Sequence, residues 1–90
     1  MREAFENYLI RRGYKATTAD GKPSTVYEYI KRIDYVCDLE GCGWAVLAVK
    51  IGSIVARYDT GGDMEDHGNL GHRSVINALK RFKEFIQSGR

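Results

Sequence analysis

The segment GHRSVINALKRFKEFI, residues 71–86, decides the fold of this 90-residue chain. Four of its apolar residues recur at steps of four, three and four: Val75, Leu79, Phe82 and Ile86. That spacing places them on one face of a helix. Polar residues fall on the other faces: Arg73, Asn77, Lys80, Arg81 and Glu84. The segment therefore predicts an amphipathic helix that covers a small core and turns a basic surface to solvent.

A second amphipathic helix is predicted from about residue 25 to residues 40–41. Pro23 ends the preceding loop, Ser24 or Thr25 is the expected N-cap, and Thr25 with Glu28 has the spacing of a capping box. Its apolar stripe again follows steps of four, three and four and is widened on both sides: Val26, Tyr29, Ile30, Ile33, Val36 and Cys37. This stripe predicts a buried face as long as the helix itself.

A first helix is predicted over about residues 3–12, with Phe5, Tyr8 and Leu9 inward and Gly13 as its stop. Turn residues predict a loop over 14–23. Glycines and acids predict a second, long loop over 59–71. A loop of that length in a small domain is expected to be mobile or functional.

The segment WAVLAVKIGSIVARY, residues 44–58, fits two structures. It is short, apolar and rich in β-branched residues, as in two buried strands that turn at Gly52. Its apolar residues also fit a helical stripe across that glycine. The length and the neighbouring helices favour two short helices broken near Gly52.

Length and composition predict one domain, residues 1–90, with an all-α fold. Fourteen Lys and Arg against twelve Asp and Glu give a net charge of +2. This balance is too even for binding to nucleic acid through global charge, so any affinity for DNA requires local clustering of cations.

The chain is expected to act in the cytoplasm and away from the membrane. Residues 1–5, MREAF, are the charged start of a helix and not a signal peptide, and no apolar run has transmembrane length. Cys37 and Cys42 are expected to be reduced structural thiols.

Catalytic and metal-binding patterns do not emerge from the sequence. His67 and His72 stand near several acids, but most of these candidates lie on one glycine-rich loop, which is a poor scaffold for a metal. Cys37 falls on a buried stripe, and no nucleophile elbow or phosphate-binding glycine motif occurs. We expect no catalytic residue, no metal and no cofactor.

The basic surface is the remaining candidate site. Arg73, Lys80 and Arg81 project from the last helix, with Asn77 beside them. Lys15 and Lys22 flank the start of the second helix, where the hydroxyls of Ser24 and Thr25 and the free amides suit a phosphate oxygen. The plain alternative is an ordinary solvated helix face.

Three stretches resemble the N-terminal core-binding, or SAM-like, domain of phage integrases and other tyrosine recombinases. FENYL (5–9) is similar to the opening helix of the family, PSTVYEYIKRI (23–33) to its second helix, and SVINALKRFKEFI (74–86) to its last helix. Together they span nearly the whole chain.

The resemblance implies a bundle of four or five helices that forms one half of a clamp around duplex DNA. By position, it implies that six residues face the DNA: Ser24, Thr25, Arg73, Asn77, Lys80 and Arg81. The catalytic domain of the family is absent from this sequence, so the resemblance implies no DNA cleavage. The acidic residues 59–66 depart from the family pattern and would repel phosphate.

Two functions remain open from the sequence. The first is a recombinase-like DNA-binding domain, either part of an integrase that works with a catalytic domain or free-standing. The second is a small helical protein-interaction module, for example a phage-encoded inhibitor, that uses the acidic loop and exposed aromatics such as Tyr14, Tyr27 or Phe85. A continuous basic patch favours DNA, whereas mixed charges with an apolar patch favour protein.

Overall fold

The described part of the chain is a helical bundle. The computed structural model describes residues 1–15 and 25–88, and in these ranges it contains helices and no strand. The helices are α1 (Arg2–Arg11), α2 (Thr25–Glu40), α3 (Trp44–Val49), α4 (Ile51–Tyr58), α5 (Glu65–Gly68) and α6 (Leu70–Ser88). The expected all-α bundle is confirmed, with four helices of eight residues or more and two shorter ones.

Helix α6 lies at the centre of the bundle and packs against each of the other five helices. Its inward side chains are fully buried: Val75, Ile76, Ala78, Leu79 and Phe82. Three residues of the predicted stripe are among them, and Ile86 is half-buried against the core. The stripe of α2 is buried as predicted, including Cys37, except that Tyr29 is half-buried. Two matching stripes on long helices therefore build most of the core.

Aromatic rings join α1 and α3 to α6. The ring of Phe82 lies 5.2 Å from that of Phe5 and 5.4 Å from that of Trp44, centroid to centroid, both edge to face. The indole Nε1 of Trp44 donates a hydrogen bond to Asp34 at 2.8 Å, and the same carboxylate pairs with Arg2 at 2.7 Å. The indole thus packs in the core while its polar edge is satisfied at the surface.

Residues 44–58 form two short helices, as the sequence favoured, and the break between them lies at Lys50, two residues before Gly52. Lys50 takes the non-helical angles φ −96°, ψ 8°, whereas Gly52 is an exposed residue inside α4. The bend at Lys50 turns the buried residues Leu47 and Ile51 toward the same core. Burial on both sides of the bend decides its position, and Gly52 needs no special conformation there.

Residues 59–71 are not the uninterrupted loop that was expected. They contain α5 and the first residues of α6, and α5 packs against α4 and α6. Gly68 is buried, and a Cβ there would overlap the carbonyl oxygen of Tyr58. The N–H of Met64 donates to the carbonyl of Arg57 at 2.8 Å. The close approach of Gly68 to Tyr58, which a side chain would prevent, and the hydrogen bond of Met64 hold this segment on the bundle.

The start of α6 also differs from a plain helix over 71–86. Gly71, His72 and Arg73 have φ values of 61°, 57° and 68°, which is the left-handed region. For residues with a Cβ this conformation costs about 1–2 kcal/mol each. The continuous right-handed helix therefore begins at Ser74, and the left-handed turn before it sets the direction in which that helix starts.

Candidate nucleic-acid interface

The outward side of α6 carries four of the eight predicted site residues. We call it the α6 face and define it by Arg73, Ser74, Asn77, Lys80, Arg81 and Glu84. Arg73 and Asn77 are exposed and the other four are partly buried. The predicted residues therefore share one side of a helix, but most of them contact neighbouring groups and do not extend freely into solvent.

A polar cleft lies where the first turn of α2 meets the first right-handed turn of α6. We call it the α2–α6 cleft. Its lining residues are Thr25, Glu28, Tyr29, Gly71, His72, Ser74 and Asn77. The fold thus brings Thr25 and Asn77, both predicted DNA contacts, to one cleft although 52 positions separate them. Lys22 and Ser24, the other predicted contacts near this end of α2, lie outside the described residues.

Arg32 links the two helices beside this cleft. Its Nε donates to the Ser74 hydroxyl at 2.9 Å, and its Nη2 pairs with Glu28 at 3.1 Å. The guanidinium thus holds Ser74 at the start of the right-handed helix and at the same time pairs with the carboxylate of Glu28. Arg32 carries no signal in the sequence, because no pattern along the chain distinguishes it from its neighbour Lys31.

Lys15 lies beside the start of α2, as the sequence predicted. Its carbonyl accepts a hydrogen bond from the N–H of Val26 at 3.3 Å. The preceding Tyr14 is half-buried, with its ring 5.6 Å from that of Tyr29, and its hydroxyl accepts a hydrogen bond from Arg81 at 3.5 Å. This contact connects the α6 face to the N-terminal end of α2.

Arg73 and Lys80 surround the carboxylate of Asp59, at 3.5 and 3.4 Å. The N–H of Thr60 also donates to that carboxylate at 2.8 Å. This backbone hydrogen bond, and then Lys80 and Arg73, hold the pKa of Asp59 below its ordinary value against an opposing effect of burial. Asp59 thus occupies the position between these two cations.

Glu84 is shared in the same way by two other arginines. It pairs with Arg81 at 2.9 Å and with Arg12 at 3.8 Å. Around the α6 face, three carboxylates therefore interact with five cations: Glu28, Asp59 and Glu84 with Arg12, Arg32, Arg73, Lys80 and Arg81. The surface keeps an excess of positive charge, although it is not a uniformly basic patch.

Other polar clusters serve the packing of helices. Tyr58 is fully buried and donates to Glu40 at 2.7 Å, and Arg57 pairs with the same carboxylate at 3.1 Å. Burial and then Glu40 raise the pKa of Tyr58. The hydroxyl of Tyr35 lies 2.8 Å from Nδ1 of His67. Among residues 1–15 and 25–88, no group of three or more His, Cys, Asp or Glu side chains is arranged to hold a metal ion.

Comparisons with protein-family models, curated protein sequences and solved structures find no significant match. No helix within the described ranges has both the length and the apolar character needed to cross a membrane.

Proposed function

We propose that the chain is a non-catalytic, duplex-DNA-binding domain of the tyrosine-recombinase core-binding type. The observation that supports it is the excess of cations around the α6 face, where Asp59 and Glu84 are each shared by two basic residues. Its predicted contacts are mainly with phosphates, which gives weak sequence specificity.

The α2–α6 cleft supports the same proposal. The first turn of α2 and the start of α6 meet there, and they present the Thr25 and Ser74 hydroxyls and the Asn77 amide. Small polar side chains are common contacts for DNA phosphates. Lys15 and Arg81 lie beside this end of the bundle and add positive charge.

Location and partners belong to the proposal as well. Two free cysteines fit the reducing cytoplasm, where DNA is accessible. A catalytic recombinase domain or another protein is the expected partner, because a clamp around DNA needs a second half.

The direct test is fluorescence anisotropy with a labelled duplex of random sequence across a salt series. We expect a Kd of about 1–100 µM at physiological salt, tightening steeply as salt is lowered, because binding releases counterions from the DNA. A chain that stays unbound at low salt would refute the DNA proposal.

Asp59 supplies a more specific prediction. Asp59→Asn removes the negative charge between Arg73 and Lys80 and keeps an oxygen for the N–H of Thr60. We expect duplex affinity at low salt to rise about 3–10-fold. Asp66→Asn, an exposed change of the same charge on α5, is the matched control. Equal affinities for the two variants would show that Asp59 does not compete with phosphate at this position.

The second candidate function is the protein-interaction module, which the mixed charges of the α6 face and an apolar surface of α3 support. Val46 and Val49 are 46% and 87% exposed and lie three residues apart, on one side of that helix. Of the three aromatics expected to be exposed, only Tyr27 is, whereas Tyr14 and Phe85 pack against the core. This function would be favoured if the chain binds no DNA and captures a partner that the Val49→Asp variant does not capture.

A further inference from the structure

The C-terminal end of α2 forms a Schellman motif. Gly41 takes the left-handed angle φ +66°, and its N–H donates to the carbonyl of Asp38 at 3.3 Å. The N–H of Cys42 reaches back to the carbonyl of Cys37 at 3.1 Å. These two hydrogen bonds and the left-handed glycine are the defining features of the motif.

This motif brings the side chains five residues apart into contact, and here both are cysteines. The residues in these two positions are usually apolar and pack on each other. Cys37 is 6% exposed, Cys42 is half-buried, and both thiols are free. Cys42 also packs against the core beside the end of α2. The helix end therefore places the two cysteine side chains in neighbouring positions at the edge of the core.

We propose that Cys37 and Cys42 are a redox pair that forms a reversible intrachain disulfide with a low-molecular-weight disulfide, such as oxidised glutathione, as oxidant. In the first step the Cys42 thiolate attacks one sulfur of the oxidant, the S–S bond breaks, and one glutathione thiolate leaves. In the second step Cys37 loses its proton to solvent and attacks Sγ of Cys42, which releases the second glutathione. Two cysteine thiols are oxidised, and one glutathione disulfide is reduced to two thiols.

The two cysteines differ in reactivity, which sets the order of these steps. Burial, followed by the neighbouring Cys42 and the carboxylates of Asp34 and Asp38, raises the pKa of Cys37 to about 11. The more exposed Cys42 is therefore the attacking thiol. The second step is slow at neutral pH and accelerates as the pH rises toward the pKa of Cys37, because only the thiolate attacks.

The disulfide would enclose Glu40, which anchors α4. Glu40 accepts a hydrogen bond from the Tyr58 hydroxyl at 2.7 Å and pairs with Arg57 at 3.1 Å. Both partners lie in the last turn of α4, which Asp59 caps. Oxidation is thus expected to fasten the turn that holds the end of α4.

To test this, the full chain is equilibrated in buffers that contain reduced and oxidised glutathione in varied ratios, once under native conditions and once in concentrated urea. Each sample is quenched with acid, and the intact mass of the chain is measured. We expect the loss of two hydrogen atoms per chain in native buffer. The native pair should reach half-oxidation in a buffer at least about 10-fold more reducing than the urea-unfolded pair needs, because the motif holds the thiols together. By linkage, the oxidised chain should have a Tm higher by several degrees.

Two variants separate the proposal from the general tendency of nearby thiols to oxidise. Cys42→Ser retains one thiol and should take up at most one glutathione. Gly41→Ala keeps both thiols but strains the left-handed turn, so the difference between native buffer and urea should shrink. The proposal is overturned if wild-type chain oxidises no more readily in native buffer than in urea, or if its main product is a mixed disulfide or a crosslinked dimer.

Discussion

Phe82→Ala is expected to lower the free energy of unfolding by about 3–5 kcal/mol. Phe82 is fully buried on α6, and its ring packs edge to face on Phe5 and Trp44. Alanine would leave a cavity where α1, α3 and α6 meet, and the surrounding aromatic rings cannot close it without leaving their own contacts. Urea unfolding followed by circular dichroism measures the loss.

The same experiment has a matched control on the surface. Val49→Ala removes apolar atoms from a side chain that is 87% exposed, and should change the free energy of unfolding by no more than about 0.5 kcal/mol. If Phe82→Ala does not fold, the milder Phe82→Leu, with an expected loss of about 1–2 kcal/mol, gives the measurement. Surface substitutions typically change the free energy of unfolding by less than about 1 kcal/mol. If Phe82→Ala or Phe82→Leu lowers it by no more than that, Phe82 does not belong to the core.

Neutralising Arg73, Lys80 and Arg81 together to glutamine is expected to weaken duplex binding by about 10- to 100-fold at low salt. It should also make the dependence of log K on log salt shallower by about 3, because three phosphate contacts are lost. The anisotropy titration described above measures both quantities. Circular dichroism of the variant checks that loss of the contact between Arg81 and Tyr14 leaves the fold intact.

A variant with the same change in net charge tests whether position matters. Arg11, Lys31 and Lys50 are exposed, and none of them belongs to the α6 face or lines the α2–α6 cleft. Their joint replacement by glutamine should leave most of the affinity in place. If the two triple variants bind alike, attraction is a matter of net charge, and the assignment of the α6 face is wrong.

The helices that carry the core were predictable because their signal is local. Val75, Leu79 and Phe82 repeat with the period of a helix, and an apolar stripe must be buried wherever the helix packs. The same reasoning predicted the buried position of Cys37. It could not settle residues 44–58, since a short apolar run fits a strand or a helix until its neighbours are known.

The candidate site was predictable only as a set of residue types. Arg73, Asn77, Lys80 and Arg81 were placed on the outside of α6 by periodicity, and Lys15 beside the start of α2. Nothing in the sequence indicated that Asp59 would lie between Arg73 and Lys80, or that Arg32 would bind Ser74. These pairs are distant in the chain, and the packing of α2 and α4 against α6 creates them.

The sequence by itself determined the all-α class, the length of the principal helices and the face that each one buries, because these follow from periodicity and helix-end chemistry over a few residues. Only the tertiary structure decided the break at Lys50 and the left-handed turn at Gly71–Arg73. The tertiary structure also decided which cations of the α6 face pair with carboxylates. The physical reason is distance: an ion pair or a buried backbone contact depends on which surfaces the fold brings within a few ångströms, and local propensity carries no information about that.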